Sequence, residues 1–345
     1  LAGGGVLFAL LLWGATGTHD AVLKGRLLLG IPYAMGALSI YLITGLAGQI
    51  SIAQASMMGM GAVIAFNLGG APFGREPRMG QVPAVAIALA GATVVGMLIA
   101  IPALRIRGLH FAIVTLAFAY TADTVVLSET TSLGYDPQQT YIARPHFIAT
   151  DDRYITWGLV LVACMALLMT NLRHSQFGRG LMAVRDSEVA AAVTGINVAK
   201  YKIIAFMVAS FMAAVGGIFY AWYASNAMVS FGGVTVLQGL LLFAFVVIGG
   251  VRRVSGAVLG GFLFILAPAM ISDRINGHYV ELIAGVGVVA LVVLLPDGLV
   301  TLPARIGRTL ADVWARHRTP NLVTATLDYE TPPVQQSRVG HKRKR

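Results

Sequence analysis

Apolar residues fall along this chain in blocks of about twenty, cut by short polar or Gly/Pro-rich segments. That is the length an α-helix needs to cross a hydrocarbon core of about 30 Å. The blocks are Leu27–Leu46, Ile50–Gly69, Val82–Ile101, Leu109–Ser128, Tyr154–Asn171, Ile203–Tyr223, Val236–Val251, Val254–Ile271 and Tyr279–Leu295. A further run, Val6–Ala15, is too short to span. Because the chain starts at Leu1 rather than Met, a missing upstream part of that span is expected. The pattern predicts an all-α, polytopic helical membrane protein with about ten transmembrane segments in residues 1–301.

Local features set expectations for individual segments. Pro32 stands near the start of its span, where a missing N–H costs little. Ser51, Ala55 and Gly59 recur every four positions, so a continuous helix would carry them as one flat stripe for packing. Pro102 and the basic turn Arg105–Gly108 are expected to close the Val82–Ile101 span, with long polar loops at Gly70–Gln81 and Glu129–Arg153. Trp222 and Tyr223 are placed as interfacial anchors. Gly256-x-x-x-Gly260 is a helix-packing signature in an apolar context.

Composition agrees with the pattern. The chain is 57% hydrophobic and 12% charged, with mean hydropathy +0.76; soluble domains carry about 25% charged residues. The 40 glycines suit helices that meet through close backbone approach. A single cysteine, Cys164, excludes an intramolecular disulfide. The net charge of +10 does not point to nucleic acid, because the basic residues sit by topology. If Gly178–Lys202 and the tail face the cytoplasm, most of the 25 Lys and Arg lie inside, as the positive-inside rule requires. The tail, 302–345, ends in His341–Arg345 and is expected to be largely disordered, lying near anionic headgroups.

One polar stretch stands out. Gly178–Lys202, within the loop 173–202, carries Arg179, Arg185, Asp186, Glu188, Lys200 and Lys202 between two apolar blocks. Asp186 is a suitable N-cap for a short helix over Ser187–Thr194, Glu188 suits its dipole, and Gly195 suits the C′ position. The face Val189–Ala190–Ala191–Val193 is apolar and nearly flat, and it lacks the large anchors of a membrane-surface helix. A short, capped, flat helix fits a cleft in a soluble partner, so Arg185, Asp186, Glu188, Ala190, Ala191 and Gly195 are the candidate coupling residues.

Other polar groups lie inside apolar blocks. Gln49, Gln54, Ser51 and Ser56 make the start of Ile50–Gly69 polar for lipid, either to hydrogen-bond between helices, the favoured reading, or as a pore-facing re-entrant segment shielded by protein. Asp123 either lines a substrate path or bonds another helix, or reaches interfacial water. Gly48, Gln49, Gln54, Tyr120 and Asp123 are thus candidates for a translocation path or for helix packing. No G-x-x-x-x-G-K-[ST], H-E-x-x-H, C-x-x-C or G-x-S-x-G occurs, and the seven histidines are scattered. No metal site, cofactor or enzymatic nucleophile–base pair is expected. A stand-alone secondary transporter or channel is the alternative, but it calls for paired ionisable groups at mid-membrane.

Three segments carry a resemblance. GRGLMAVRDSEVAAAVTGINVAKYKIIAF resembles the cytoplasmic loop of LivM-type permeases of branched-chain amino acid ABC importers, with Ala190–Ala191 and Gly195 in the places of the EAA motif and Val189 in that of its Glu. GLAGQISIAQASMMGMGA and IGGVRRVSGAVLGG are similar to two further segments of that family. The chain departs in carrying Gln54 for the family's His, Ala53 for a Gly, Arg252–Arg253 in a turn that is usually neutral, and Tyr120 after TLAFA where an acidic residue is frequent. The resemblance implies a permease subunit in the bacterial inner membrane, with a cytoplasmic C-terminus and one cytoplasmic coupling helix. It also implies a LivH-type partner permease, two P-loop ATPase subunits that use ATP and Mg, and a periplasmic binding protein. The cargo would be branched-chain amino acids or a related small polar solute.

Overall fold

The structure, a computed structural model, describes residues 21–72, 79–106, 108–127, 140–141, 144–224 and 236–272. The Val6–Ala15 run, the Tyr279–Leu295 span and the tail lie outside the described residues. All described residues belong to the unit Leu1–Val300.

This unit is built from helices: α1 (Ala21–Ile40), α2 (Gln54–Gly69), α3 (Gln81–Arg105), α4 (Leu109–Ala122), α5 (Asp151–His174), α6 (Gln176–Asp186), α7 (Glu188–Val193), α8 (Val198–Ala224), α9 (Val236–Gly250) and α10 (Val254–Ser272). α1 runs on into a π-helical turn, Tyr41–Leu46, and α4 into another, Asp123–Leu127. Two residues, Ala71–Pro72, pair antiparallel with Thr140–Tyr141. Among the described residues, five helices are long and apolar enough to cross a membrane, and α9 and α10 supply shorter apolar helices. The chain is an all-α polytopic membrane protein.

α1 and α8 lie at the centre, and small residues bring their neighbours close. Gly216 of α8 meets the backbone of Pro32 and Gly36; Gly217 meets the Met58 backbone of α2; Gly61 of α2 meets Ala214. Gly96 of α3 admits Ser210 and the Phe206 carbonyl, and Gly261 of α10 lies on Ala34 of α1. Gly256 and Gly260 of α10 face Gly249, Gly250 and Phe245 of α9, as the G-x-x-x-G spacing predicts. Aromatic groups fill the remaining space, with Tyr33 against Phe264 and Tyr220, and Tyr154 against Phe219. Without hydrophobic drive between helices in lipid, such close approach is what dispersion needs.

Several boundaries differ from the expected ones. The third apolar block is helical only from Gln54, and residues 47–53 leave the helix. Ser51 therefore lies outside any stripe, and Ala55, Met58 and Gly61 carry the contacts instead. Pro102 does not end α3, which runs to Arg105, since its carbonyl still accepts from the Ile106 amide at 2.9 Å. α5 starts inside the expected loop, at Asp151, where two acidic residues suit a helix N-terminus. Trp222 is buried rather than interfacial: it packs on Phe219, and its carbonyl accepts from Arg144 Nε at 2.9 Å.

Glycine substitutions test the close-packed interface. Gly217→Ala should lower stability by about 1–3 kcal/mol by forcing α8 from α2. Gly25→Ala, with nothing within 4 Å of the new methyl, should be neutral or stabilising by up to about 1 kcal/mol. Thermal unfolding midpoints of the purified protein in detergent distinguish the two.

Candidate functional site

The polar loop folds into two helices packed against the ends of α5 and α8 and the π turn that follows α1. Ser175 caps α6, its Oγ accepting from the Gly178 amide at 3.1 Å. Gly178, Gly180, Leu181 and Val184 form the buried face of α6, and Phe177 stacks on Tyr201 of α8 with ring centroids 5.1 Å apart. Asp186 does not cap the next helix, as expected, but is the last residue of α6. The cap is Ser187, extended at φ −159°, whose Oγ accepts from the Ala190 amide at 3.2 Å. Serine can take this role because its hydroxyl reaches the orphan amide two or three residues on.

α7 ends as expected. Gly195 has φ +85°, its amide donates to the Ala192 carbonyl at 3.0 Å, and Ile196 donates to Ala191 at 3.0 Å. This is the paired bond pattern of a Schellman stop, which favours glycine. Ala191 faces the protein and is buried, contrary to the flat outer face expected of it. The outer surface instead consists of Val189 and Val193, 66% and 83% exposed, with Ala190 and Ala192 beside them.

What fixes α7 is a lysine whose role sequence analysis did not single out. Lys202, in the first turns of α8, is 2% exposed. Its Nζ lies 2.7 Å from Glu188 Oε1 and donates to the Ala103 carbonyl at 3.0 Å. Ala103 sits in the last turn of α3, where carbonyls lack helical partners and the dipole favours a cation. Glu188 occupies the first turn of α7, where an anion is favoured. One ammonium thus joins α3, α7 and α8. The signal lay in spacing: Lys202 shares a helical face with Ala205, Phe206 and Ala209, all buried.

Arg185 joins this region to the centre of the bundle. Its Nη1 donates to the Gly45 carbonyl at 2.6 Å, and its methylenes lie over Gly48, which has φ +70°. Gly45 lies in the π turn of α1, where the shifted register of bonding leaves a carbonyl free to accept. Gly48 opens the break between α1 and α2. Within that break the Gln49 amide returns to the Ile43 carbonyl at 3.0 Å, Thr44 Oγ1 donates to the Gln49 carbonyl at 3.2 Å, and the Ile52 amide donates to Thr115 Oγ1 of α4 at 3.2 Å. Residues 47–53 are thus non-helical backbone tied by these bonds to α1 and α4, not the start of a packing helix.

The remaining predicted path residues separate. Gln54 is buried in the first turn of α2. Asp123 bonds another helix, its Oδ2 accepting from the Val236 amide at the start of α9 at 3.4 Å. Tyr120 is 64% exposed on the surface of the chain. No group of three or more His, Cys, Asp or Glu that could hold a metal occurs among the described residues.

Comparison with known proteins bears on this arrangement. The family described as "Branched-chain amino acid transport system / permease component" matches residues 23–293, which take in the break, α6, α7 and α8. The chain belongs to that family. It is also 25% identical over 243 residues to the high-affinity branched-chain amino acid transport system permease protein LivM of Escherichia coli strain K12, a match covering 63% of this chain and 56% of the relative. The chain thus spans little more than half the length of that relative. No solved structure matches. As a member of the permease family, the chain is a multi-pass membrane protein.

Because removal of one partner strands the other charge, Glu188→Gln, which leaves the buried Lys202 ammonium without its carboxylate, should cost about 3–5 kcal/mol. Lys202→Met should cost less, as the Glu188 carboxylate it leaves unpaired is nearer the surface. The double variant should recover part of the loss, leaving a coupling energy of about 1 kcal/mol or more. A double-mutant cycle on unfolding in detergent measures it.

Proposed function

We propose that this chain is the transmembrane permease subunit of an ABC importer for branched-chain amino acids or a related small polar solute, with α6 and α7 as its coupling element to a separate ATPase. The carrying observation is α7 itself: a short helix, capped at Ser187 and stopped at Gly195, held from below by Lys202 and presenting Val189 and Val193 outward. Two exposed valines one turn apart on a rigidly anchored knob suit a shallow cleft of a partner protein. Lipid would call for larger anchors.

In this reading α6 and α7 face the cytoplasm of a bacterial inner membrane, as does the C-terminus. Arg105, Arg173, Arg179, Arg185, Lys200, Arg252 and Arg253 fall at that end by sequence. Two P-loop ATPase subunits supply ATP and Mg chemistry that this chain's sequence does not encode. One docks on α7, the other on a LivH-type permease paired with this one, and a periplasmic binding protein delivers substrate. Closure of the ATPases moves α7. Lys202 carries the motion to α3 and α8, and Arg185 carries it to the π turn of α1 and the break beyond. The docked ATPase must contact α7 differently in the two states, or it shifts nothing.

Val193→Asp and Gly195→Leu test the docking. The first places a charge on the contact face. The second strains a left-handed position by about 1–2 kcal/mol and loosens the stop of α7. Each should abolish co-purification with the ATPase and reduce ATP-driven uptake at least tenfold while membrane insertion is retained. Uptake that persists without ATP would overturn the reading.

A further inference from the structure

The break between α1 and α2 has polar capacity that the packing leaves unused. Gln54 and Ser56 lie in the first turn of α2, and Ser51 lies two residues before the Ala53 N-cap; all three are about 1% exposed. Gln54 Oε1, Ser51 Oγ and Ser56 Oγ, together with Gln49 Oε1, have no hydrogen-bond partner. Ala53 offers no side-chain cap, and the first backbone bond of α2 is from the Met57 amide to the Ala53 carbonyl. The amides of Gln54, Ala55 and Ser56 lie in the first turn, at the positive end of a 16-residue helix, where no earlier helical carbonyl faces them. Four buried side-chain atoms unmet within residues 49–56 are costly, since each buried polar group without a partner costs about 1–3 kcal/mol.

The two kinds of unmet group call for a ligand with two kinds of charge. First-turn amides and serine hydroxyls are donors suited to a carboxylate. The Gln49 and Gln54 carbonyl oxygens are acceptors suited to an ammonium. The depth also suits a transported solute. Ala55 packs on Gly239 of α9. Gly239 stands eleven residues before Gly250, about 16 Å along the helix, which is about half of a 30 Å hydrocarbon core. In secondary transporters, solutes bind at such a level on half-helix N-termini flanked by unwound backbone, and the same physics applies to any solute held there.

We propose that the break Ala47–Ala53 and the N-terminus of α2 form the site that holds the charged main-chain groups of an α-amino acid in transit. The carboxylate sits on the amides of Gln54 to Ser56 and the hydroxyls of Ser51 and Ser56. The ammonium sits on Gln49 and Gln54. Selection is for the zwitterion, with the side chain of the solute directed toward apolar neighbours such as Gly239 and its helix. The site rests on the transport function proposed above, and Arg185 over Gly48 is its link to the coupling helix.

The assembled transporter, with its ATPases, partner permease and binding protein in nanodiscs, is illuminated with diazirine-bearing photo-leucine during turnover. Mass spectrometry locates the adducts. Labelling is expected within residues 49–56, Thr115 or α9 near Gly239. Unlabelled L-leucine should compete at least tenfold better than 4-methylpentanoate or isoamylamine, which each keep one half of the zwitterion. Gln54→Met should reduce the labelling at least tenfold relative to Tyr120→Phe, whose position lies outside the site. Adducts confined to other helices, equal competition by either half-molecule, or no adduct in a complex that takes up leucine would overturn the proposal. Labelled break residues in a permease that recruits no ATPase would instead leave the site standing and remove the docking reading. An ATPase-bearing complex labelled elsewhere would do the reverse.

Discussion

Backbone that leaves a helix inside a bilayer must find partners in protein, because lipid offers none. Residues 47–53 do so within the bundle, and much of the surrounding structure answers to that requirement. The π turn of α1 returns the chain so that Gln49 can reach the Ile43 carbonyl. Thr115 of α4 accepts from Ile52, and Gly239 of α9 leaves room for Ala55. Arg185 reaches from α6 to the Gly45 carbonyl. Remove these walls and the break would expose unsatisfied amides to hydrocarbon, at several kcal/mol each. The break is thus coupled to the packing of α4, α6 and α9 by necessity.

Lys202 is the second such constraint, at the end of the bundle that bears α6 and α7. Its ammonium satisfies a free carbonyl of α3 and a carboxylate of α7 at once. A short helix of six residues would be marginal alone. Anchored through Glu188, capped by Ser187 and stopped by Gly195, it becomes a rigid projection. Under the coupling function proposed above that rigidity matters, since a floppy contact would absorb a displacement instead of sending it to α3, α8 and, through Arg185, to α1.

Legibility in the sequence followed the range of the interaction. The spans were legible because lipid imposes a length and an apolar composition on every residue of a crossing helix. The stop at Gly195 and the existence of α7 were legible because caps act over three or four residues. The cap was expected one residue early, at Asp186, because Asp and Ser both qualify and only the path of α6 decides between them. Ala191 was expected outside because alanine carries no signal of which face it occupies.

Sequence alone therefore determined the all-α membrane class, most span positions and the polar loop that becomes α6 and α7. Family membership was legible there as a resemblance, since its motifs are local strings. Only the tertiary structure decided that 47–53 leaves the helix, that Asp123 caps α9 while Tyr120 is exposed, and that Lys202 is buried between α3 and α7. Each depends on groups far apart in the chain, up to 140 residues for Arg185 and Gly45. Local pattern records what a residue prefers, whereas such partners are fixed only when helices close on one another.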